Sequence, residues 1–386
     1  MLLLKNGKIF TLNNNKILYG DILIDKGKIL AIDSNITSPG TKTINLHQSI
    51  VMPGLIDCST SLGLIESASG LPGDDSNEKY ENVISDLKSI NGINYTDEYF
   101  KQAVSSGITT VVVNSGNTNV IGSQSCAVKT WGKSLHDSMI SESTDICCTI
   151  GDGPKKWNID KQESPLSRMG IINILRENLY NSRVYLENKN EGKISMDNFS
   201  RKYESLIPVL GKKIPLKITA NRVQDILNAI EIKKEFNIDI ILDGAAESYM
   251  VIDEIISNNI PVILGTCLTD NSSIELCNRR LDTAGILTEK NILTSISTNH
   301  PHTVIGMLII TACLLVKEGM SYEHALKSVT VNPALTFGLS DRIGSLEPGK
   351  DADLAIFDGD PLKSMTKNIM TIVDGNIVHS VQEETA

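Results

Sequence analysis

The sequence predicts an α/β fold: a (β/α)8 TIM barrel carrying a small β-sandwich domain formed by both chain ends. Three observations point there. The first fifty residues are short extended runs separated by Asn/Gly-rich turns; the middle alternates short apolar runs with segments of helical period; and the stretch 352–378 returns to strand-like runs.

The opening runs are Leu2-Leu3-Leu4, Lys8-Ile9-Phe10, Asp21 to Ile24 and Lys28 to Ile32. Their spacing around turn residues reads as an antiparallel meander. Such a meander leaves one face bare. The runs Ala352 to Asp358 and Met370 to Val378, the latter broken by Asp374-Gly375, supply a cover. Residues 1–52 plus 338–386 are therefore expected to form one composite β-sandwich, with 53–337 inserted as the barrel.

Within the insertion the expected strands are Val51 to Asp57, Ile108 to Val113, Ala127 to Lys129, Cys147 to Ile150, Ile214 to Thr219, Ile238 to Asp243, Pro261 to Gly265 and Leu293 to Asn299. Strands separated by helix-length segments argue for βα units and a parallel sheet. Eight of them suit a closed barrel, which takes about 250 residues. A doubly wound open sheet is the alternative. The polar stretch Glu187 to Lys193 reads as a surface excursion, and residues 63–95, with Gly70, Pro72 and Gly73, read as a long loop overhanging the carboxyl ends of the strands, where barrel chemistry sits.

Composition narrows the function. The 386 residues are 41% apolar and 21% charged, values of an ordinary globular chain. The formal net charge of -10, from 36 basic and 46 acidic side chains without long runs of either sign, disfavours nucleic acid and anionic membrane as partners. The start turns polar too soon for a signal peptide and no run reaches membrane-span length, so a cytoplasmic protein is expected. Seven scattered cysteines without a C-x-x-C pair fit free thiols in a reducing compartment.

Two stretches carry a resemblance: Pro53-Gly54-Leu55-Ile56-Asp57, and Val331-Asn332-Pro333-Ala334 followed by Gly344-Ser345-Leu346-Glu347-Pro348-Gly349-Lys350-Asp351-Ala352-Asp353-Leu354. Support comes from Gly107 to Val111, Asn119 to Gly122 and Thr283 to Leu287. In this order along nearly the whole chain they resemble the amidohydrolase superfamily, in particular its imidazolonepropionase-like members. The resemblance implies hydrolysis of C–N bonds in cyclic amides and related substrates, with one or two divalent metals activating water at the strand ends.

The metal ligands that the resemblance implies are replaced. The expected His-x-His after the first barrel strand is Ser59 and Ser61; the fifth-strand histidine is Thr219, the sixth-strand histidine Asp243, and the eighth-strand aspartate Asn299. A hydroxyl is a weak neutral ligand for zinc, and an amide takes no proton from water at neutral pH. Lys129 falls where the resemblance implies a carbamylated lysine bridging two metals; without partner ligands it is expected to stay a cation or to pair with Asp243. Of the six histidines, His47, His136, His324 and His379 read as surface or packing residues, while His300 and His302 follow the eighth strand and could face the pocket.

The leading expectation is a degenerate member with no bound metal and no other cofactor, whose pocket residues Ser59, Ser61, Thr219, Asp243 and Asn299 hold a small polar ligand. It would act as a binding or regulatory subunit, as a homodimer or in complex with an active homologue. The alternative is an active hydrolase on non-peptide C–N bonds using Asp243 as base with Lys129 or His300 stabilising the oxyanion, or using zinc or another divalent metal at an unrecognised site. Cys58 as nucleophile is a variant of it, and a purely structural partner is the third reading.

Overall fold

The computed structural model describes residues 1–13, 17–66, 73–159, 163–265, 267–269, 271 and 273–381. Five strands open the chain: β1 (Leu2–Phe10), β2 (Ile17–Asp25), β3 (Lys28–Asp33), β4 (Lys42–Asn45) and β5 (Ile50–Pro53). Eight follow in the middle: β6 (Leu55–Thr60), β7 (Ile108–Val113), β8 (Ile121–Lys129), β9 (Met139–Thr149), β10 (Leu216–Ala220), β11 (Ile240–Gly244), β12 (Val262–Leu264) and β13 (Thr294–Ile296). The chain ends with β14 (Leu354–Phe357), β15 (Asn368–Val373) and β16 (Asn376–Ser380).

Both chain ends build one eight-stranded sheet in the order β16-β15-β14-β5-β1-β2-β3, with β4 alongside β1. Antiparallel pairing of β14 with β5 joins the two ends, Leu354 opposite Pro53 and Phe357 opposite Ile50. Leu4, Ile9, Ile22, Ile29, Leu354 and Ile372 are among the side chains of its own apolar cluster. The turn between β15 and β16 puts Asp374 and Gly375 both at positive φ, 46° and 73°, which is the geometry a two-residue hairpin favours.

One glycine separates this sheet from the next. A Cβ at Gly54 would fall 2.1 Å from Thr109 Oγ1, so only a residue without a side chain lets β5 pass into β6 against β7.

The second sheet has the order β13-β12-β11-β10-β9-β8-β7-β6. Its strands are nearly continuous apolar or small-residue runs, and Ile108–Val113 is buried at every position, as strands covered on both faces must be. The seven junctions between neighbouring strands divide by direction into five parallel and two antiparallel. β6 with β7, and β9 through β13 in succession, pair in parallel. β8 does not. It runs antiparallel to both β7 and β9, and it begins at Ile121, well before the expected Ala127. The expectation of eight βα units therefore fails here: β7, β8 and β9 form a meander, with no helix in the connection from β7 to β8. Residues 127–129 are the last three of a strand pointing the other way.

The ends of this sheet meet through side chains. Asp57 on β6 accepts from Ser297 Oγ at 2.6 Å and from the hydroxyl of Thr298, while Ser61 N–H donates to His300 O at 2.9 Å. Burial pushes the Asp57 carboxyl up to about 6, against the hydrogen bonds of Ser297 and Thr298, which pull it down. Because this value lies above the ordinary one of 3.8, folding takes up a proton in that window. The Asp57 contribution is thus most favourable below about pH 4 and is lost as pH rises through about 6, a difference of about 3 kcal/mol. Asp57→Asn is expected to flatten the decline of stability between about pH 4 and pH 7, read from urea midpoints. An unchanged slope would assign that pH dependence elsewhere.

Around the strands, the helices Glu98–Ser105, Arg168–Asn190, Arg201–Leu210, Val223–Phe236 and Leu308–Lys317 are the longest that pack against the sheets or each other. The stretch 187–193 is exposed as expected, but its first part is the last turn of Arg168–Asn190 rather than a loop. The expected overhang at 63–95 is described over 63–66 and from 73 onward; Gly70 and Pro72 lie outside the described residues. There Ile84 N–H donates to Ile121 O and Gln124 N–H to Leu87 O, which ties this segment to the edge of β8. Among the described residues no helix is long and apolar enough to cross a membrane.

Candidate functional site

The parallel strands bring their carboxyl ends together, and the polar residues there converge. Thr219 on β10 stands opposite Asp243 on β11 in the ladder. Asp243 Oδ2 accepts from Thr219 Oγ1 at 3.3 Å and from Ser59 Oγ, on β6, at 3.3 Å. Ser59 also donates to Asn114 Oδ1 at 3.1 Å. Three of the residues singled out in the sequence, Ser59, Thr219 and Asp243, are therefore in direct contact.

The centre of the cluster is a residue that sequence reasoning passed over. Lys217 sits two positions before Thr219 on β10, hence on the same face of the strand. It is 2% exposed. Its Nζ donates to Asn114 Oδ1 at 2.9 Å and lies 3.8 Å from Asp145 Oδ1 on β9. Asn114 Oδ1 takes a third hydrogen bond from Thr60 N–H at 3.1 Å, so this one oxygen ties β6, the end of β7 and β10 together. A lysine inside the apolar run Leu216-Lys217-Ile218 was the available signal: a charge on a strand buried on both faces needs a partner.

The electrostatics follow from burial. Desolvation alone would lower the Lys217 ammonium, but Asp145, followed by Cys147 and Asp243, outweighs it and holds the group above its ordinary value. Asp243 moves the other way from the usual paired carboxylate: burial raises it, and Lys217 with the hydroxyls of Ser59 and Thr219 offsets this only in part. Cys58 is fully buried beside Asp57 and Asp243, and burial pushes its thiol well above its ordinary value. A thiol in that setting is a poor nucleophile, which weighs against the Cys58 variant of the hydrolase reading.

Other sequence-based candidates fall elsewhere. Lys129 does not meet Asp243. Because β8 runs antiparallel, its last residue pairs with Thr110 near the start of β7, at the opposite end of the strands from Asp243. There Lys129 Nζ reaches Asp351 Oδ2 at 3.0 Å, Asp374 Oδ1 at 3.1 Å and Asp353 Oδ2, on the sheet formed by the chain ends. Burial pulls this ammonium down, but the three carboxylates, Asp353 foremost, carry it up to about 12. It is a bolt between the two sheets.

His300 follows β13 and is 1% exposed, but its ring packs edge-on against Tyr99 at 4.4 Å between centroids. No contact joins it to Asp243. The expected trio of Asp243, Lys129 and His300 is thus dispersed over three places. Ser61 Oγ turns to Asn114 O at 3.3 Å, and Asn299 holds φ at 49° with its N–H donating to Ser297 Oγ at 3.0 Å.

Among the described residues no group of three or more His, Cys, Asp or Glu side chains is arranged to hold a metal ion. A cleft of about 320 Å³ opens one residue beyond Asn114, at Ser115, lined also by Ser123, Ser76, Asn77, Asp74 and Asp75.

Comparison with known proteins places this geometry. A model of the Amidohydrolase family matches residues 218–379. A crystal structure of an amidohydrolase from Thermotoga maritima superposes with a TM-score of 0.95 at 29% identity, covering 98% of this chain and 100% of that one. The chain belongs to the amidohydrolase superfamily. The imidazolonepropionase of Fusobacterium nucleatum is 26% identical over 92% of this chain and 87% of its own length. Amidohydrolase tasK of Hapsidospora irregularis is 23% identical over 92% of this chain, which spans only 39% of that protein.

Proposed function

We propose that this superfamily member binds a small polar ligand at a metal-free strand-end cluster and has lost metal-dependent hydrolysis of C–N bonds. The observation that carries the reading is the buried Lys217 ammonium, 2.9 Å from Asn114 Oδ1 and within the field of Asp145 and Asp243. A buried cation among the strand-end polar groups supports this reading, because it disfavours a second positive charge beside it. Zinc is held by convergent imidazoles, thiolates and carboxylates. Here one carboxylate faces two hydroxyls and an ammonium, and a fixed positive charge repels a second one. The donor set does not fit a catalytic metal.

The ligand chemistry follows from the same groups. Ser59 and Thr219 hydroxyls, the Asn114 amide and the Asp243 carboxylate recognise hydrogen-bonding groups, and the cleft at Ser115 has the volume of a small-molecule site. As a regulatory subunit the chain would act as a homodimer or with an active homologue, and light scattering of the purified protein alone and mixed with that homologue reads either assembly.

The deciding measurement is metal content by mass spectrometry of protein purified without added metal or chelator, and again after zinc supplementation. Less than about one-tenth of an equivalent in both is expected. Near one tightly held equivalent, together with hydrolysis of a cyclic imide that a chelator abolishes, would overturn the proposal and restore the hydrolase reading.

A further inference from the structure

His300 belongs to no part of the strand-end cluster, yet its burial is nearly complete and neither ring nitrogen has a hydrogen-bond partner among the described residues. A neutral imidazole carries one obligatory donor and one acceptor, so both are left unanswered. Burial is what keeps it neutral: desolvation lowers the group to about 4, with Asp97 opposing and His302 adding to the effect.

Two further orphans belong to the two segments that meet there, one to each. Among the described residues, Thr303 Oγ1, in a residue 6% exposed, has no partner, and neither has the buried Gln102 Oε1. Gln102 and Tyr99 are three residues apart on the helix Glu98–Ser105 and so share a face. Tyr99 meets His300 at one end of the seam. At the other end, a Cβ on Gly306 would lie 3.6 Å from Gln102 Cγ. Thr303 falls midway between these two contacts in sequence. Native interiors leave few polar groups unanswered, and three of them on two segments in contact mark a place where something polar belongs.

The seam adjoins open space. Asp97, Tyr99 and Gln102 also line a cleft of about 930 Å³ whose further wall includes Tyr95, Trp131 and His379. A route for a small molecule therefore reaches the helix that carries Gln102.

We infer that the seam between helix Glu98–Ser105 and residues 300–306 is a second binding site, separate from the strand-end cluster, for a neutral ligand bearing a primary carboxamide. The carboxamide oxygen takes the imidazole N–H, its amino group donates to Gln102 Oε1, and the Thr303 hydroxyl, free to rotate, serves as donor or acceptor. A carboxylate is rejected because the imidazole carries no positive charge and Asp97 lies nearby. The aromatic walls of the cleft accommodate an apolar remainder.

The test is a titration of the full chain, labelled with 15N-histidine, with acetamide up to about 100 mM, a range set by the weak affinity of so small a ligand. His300→Phe identifies the His300 resonances; should that variant fail to fold, single replacements of the other five histidines identify them by elimination. The expected result is a saturable shift of the His300 ring nitrogens, absent with sodium acetate, and weakened at least about threefold in Gln102→Leu, which removes one hydrogen bond. No shift, an equal response from all six histidines, or an unchanged affinity in Gln102→Leu would each overturn the site. A ring that exchanges only with ordered water, unaffected by acetamide, would do the same.

Discussion

Replacing Lys217 with Met is expected to cost about 3–5 kcal/mol of stability, because it leaves buried carboxylates without their cation. Asp145 and Asp243 would then face each other's field across a low-dielectric interior, and Asn114 Oδ1 would lose its strongest donor. Urea unfolding at neutral pH reads the effect through the midpoint. The double replacement Lys217→Met with Asp145→Asn should recover a good part of the loss, since an amide has no charge to leave unpaired. A single variant that loses less than about 1 kcal/mol would mean that the ammonium does not balance the cluster, and the case for a built-in cation that disfavours a metal would fall with it.

The second large effect is expected at the opposite end of the strands. Lys129→Met removes the only cation among the described residues that contacts Asp351, Asp353 and Asp374 together, and Asp353 is buried with it. Lys28 and Arg342 still reach Asp351, so the cost concentrates on Asp353, and about 3–5 kcal/mol is again the expected scale. The two variants should differ in what they loosen. Hydrogen exchange is expected to rise in the sheet of the chain ends for Lys129→Met, and in β10 and β11 for Lys217→Met. If Lys129→Met instead disturbs the strand-end residues and leaves the other sheet protected, its placement as a bolt between sheets is wrong.

Much of the molecule was legible along the chain. Meander runs at both ends led to the expectation of a β-sandwich built from both termini, and the two ends do share one sheet, in which β5 pairs with β14. Periodicity is a local property, and strands such as Ile108–Val113 and Ile240–Gly244 carry it in full. Ser59, Thr219 and Asp243 could be singled out because each stands at or just beyond the carboxyl end of an expected strand. These three do converge.

What only the tertiary structure decided is direction and partnership. Nothing in Ala127-Val128-Lys129 says which way the strand points, since apolar alternation reads the same in either sense; antiparallel pairing with β7 and β9 sets it. That single reversal carries Lys129 from the expected site to the far end of the strands. His300 likewise has the right neighbours in sequence and the wrong ones in space, because the clasp of Asp57 with Ser297 and Thr298 closes the sheet while the ring turns to Tyr99. Lys217 was in view as a charge within an apolar strand, but its role depends on Asn114 and Asp145, which lie 103 and 72 residues away in the chain and meet it only after folding. The sequence by itself determined which strands exist and which chemical groups end them; the long-range pairing of those strands decided which groups touch.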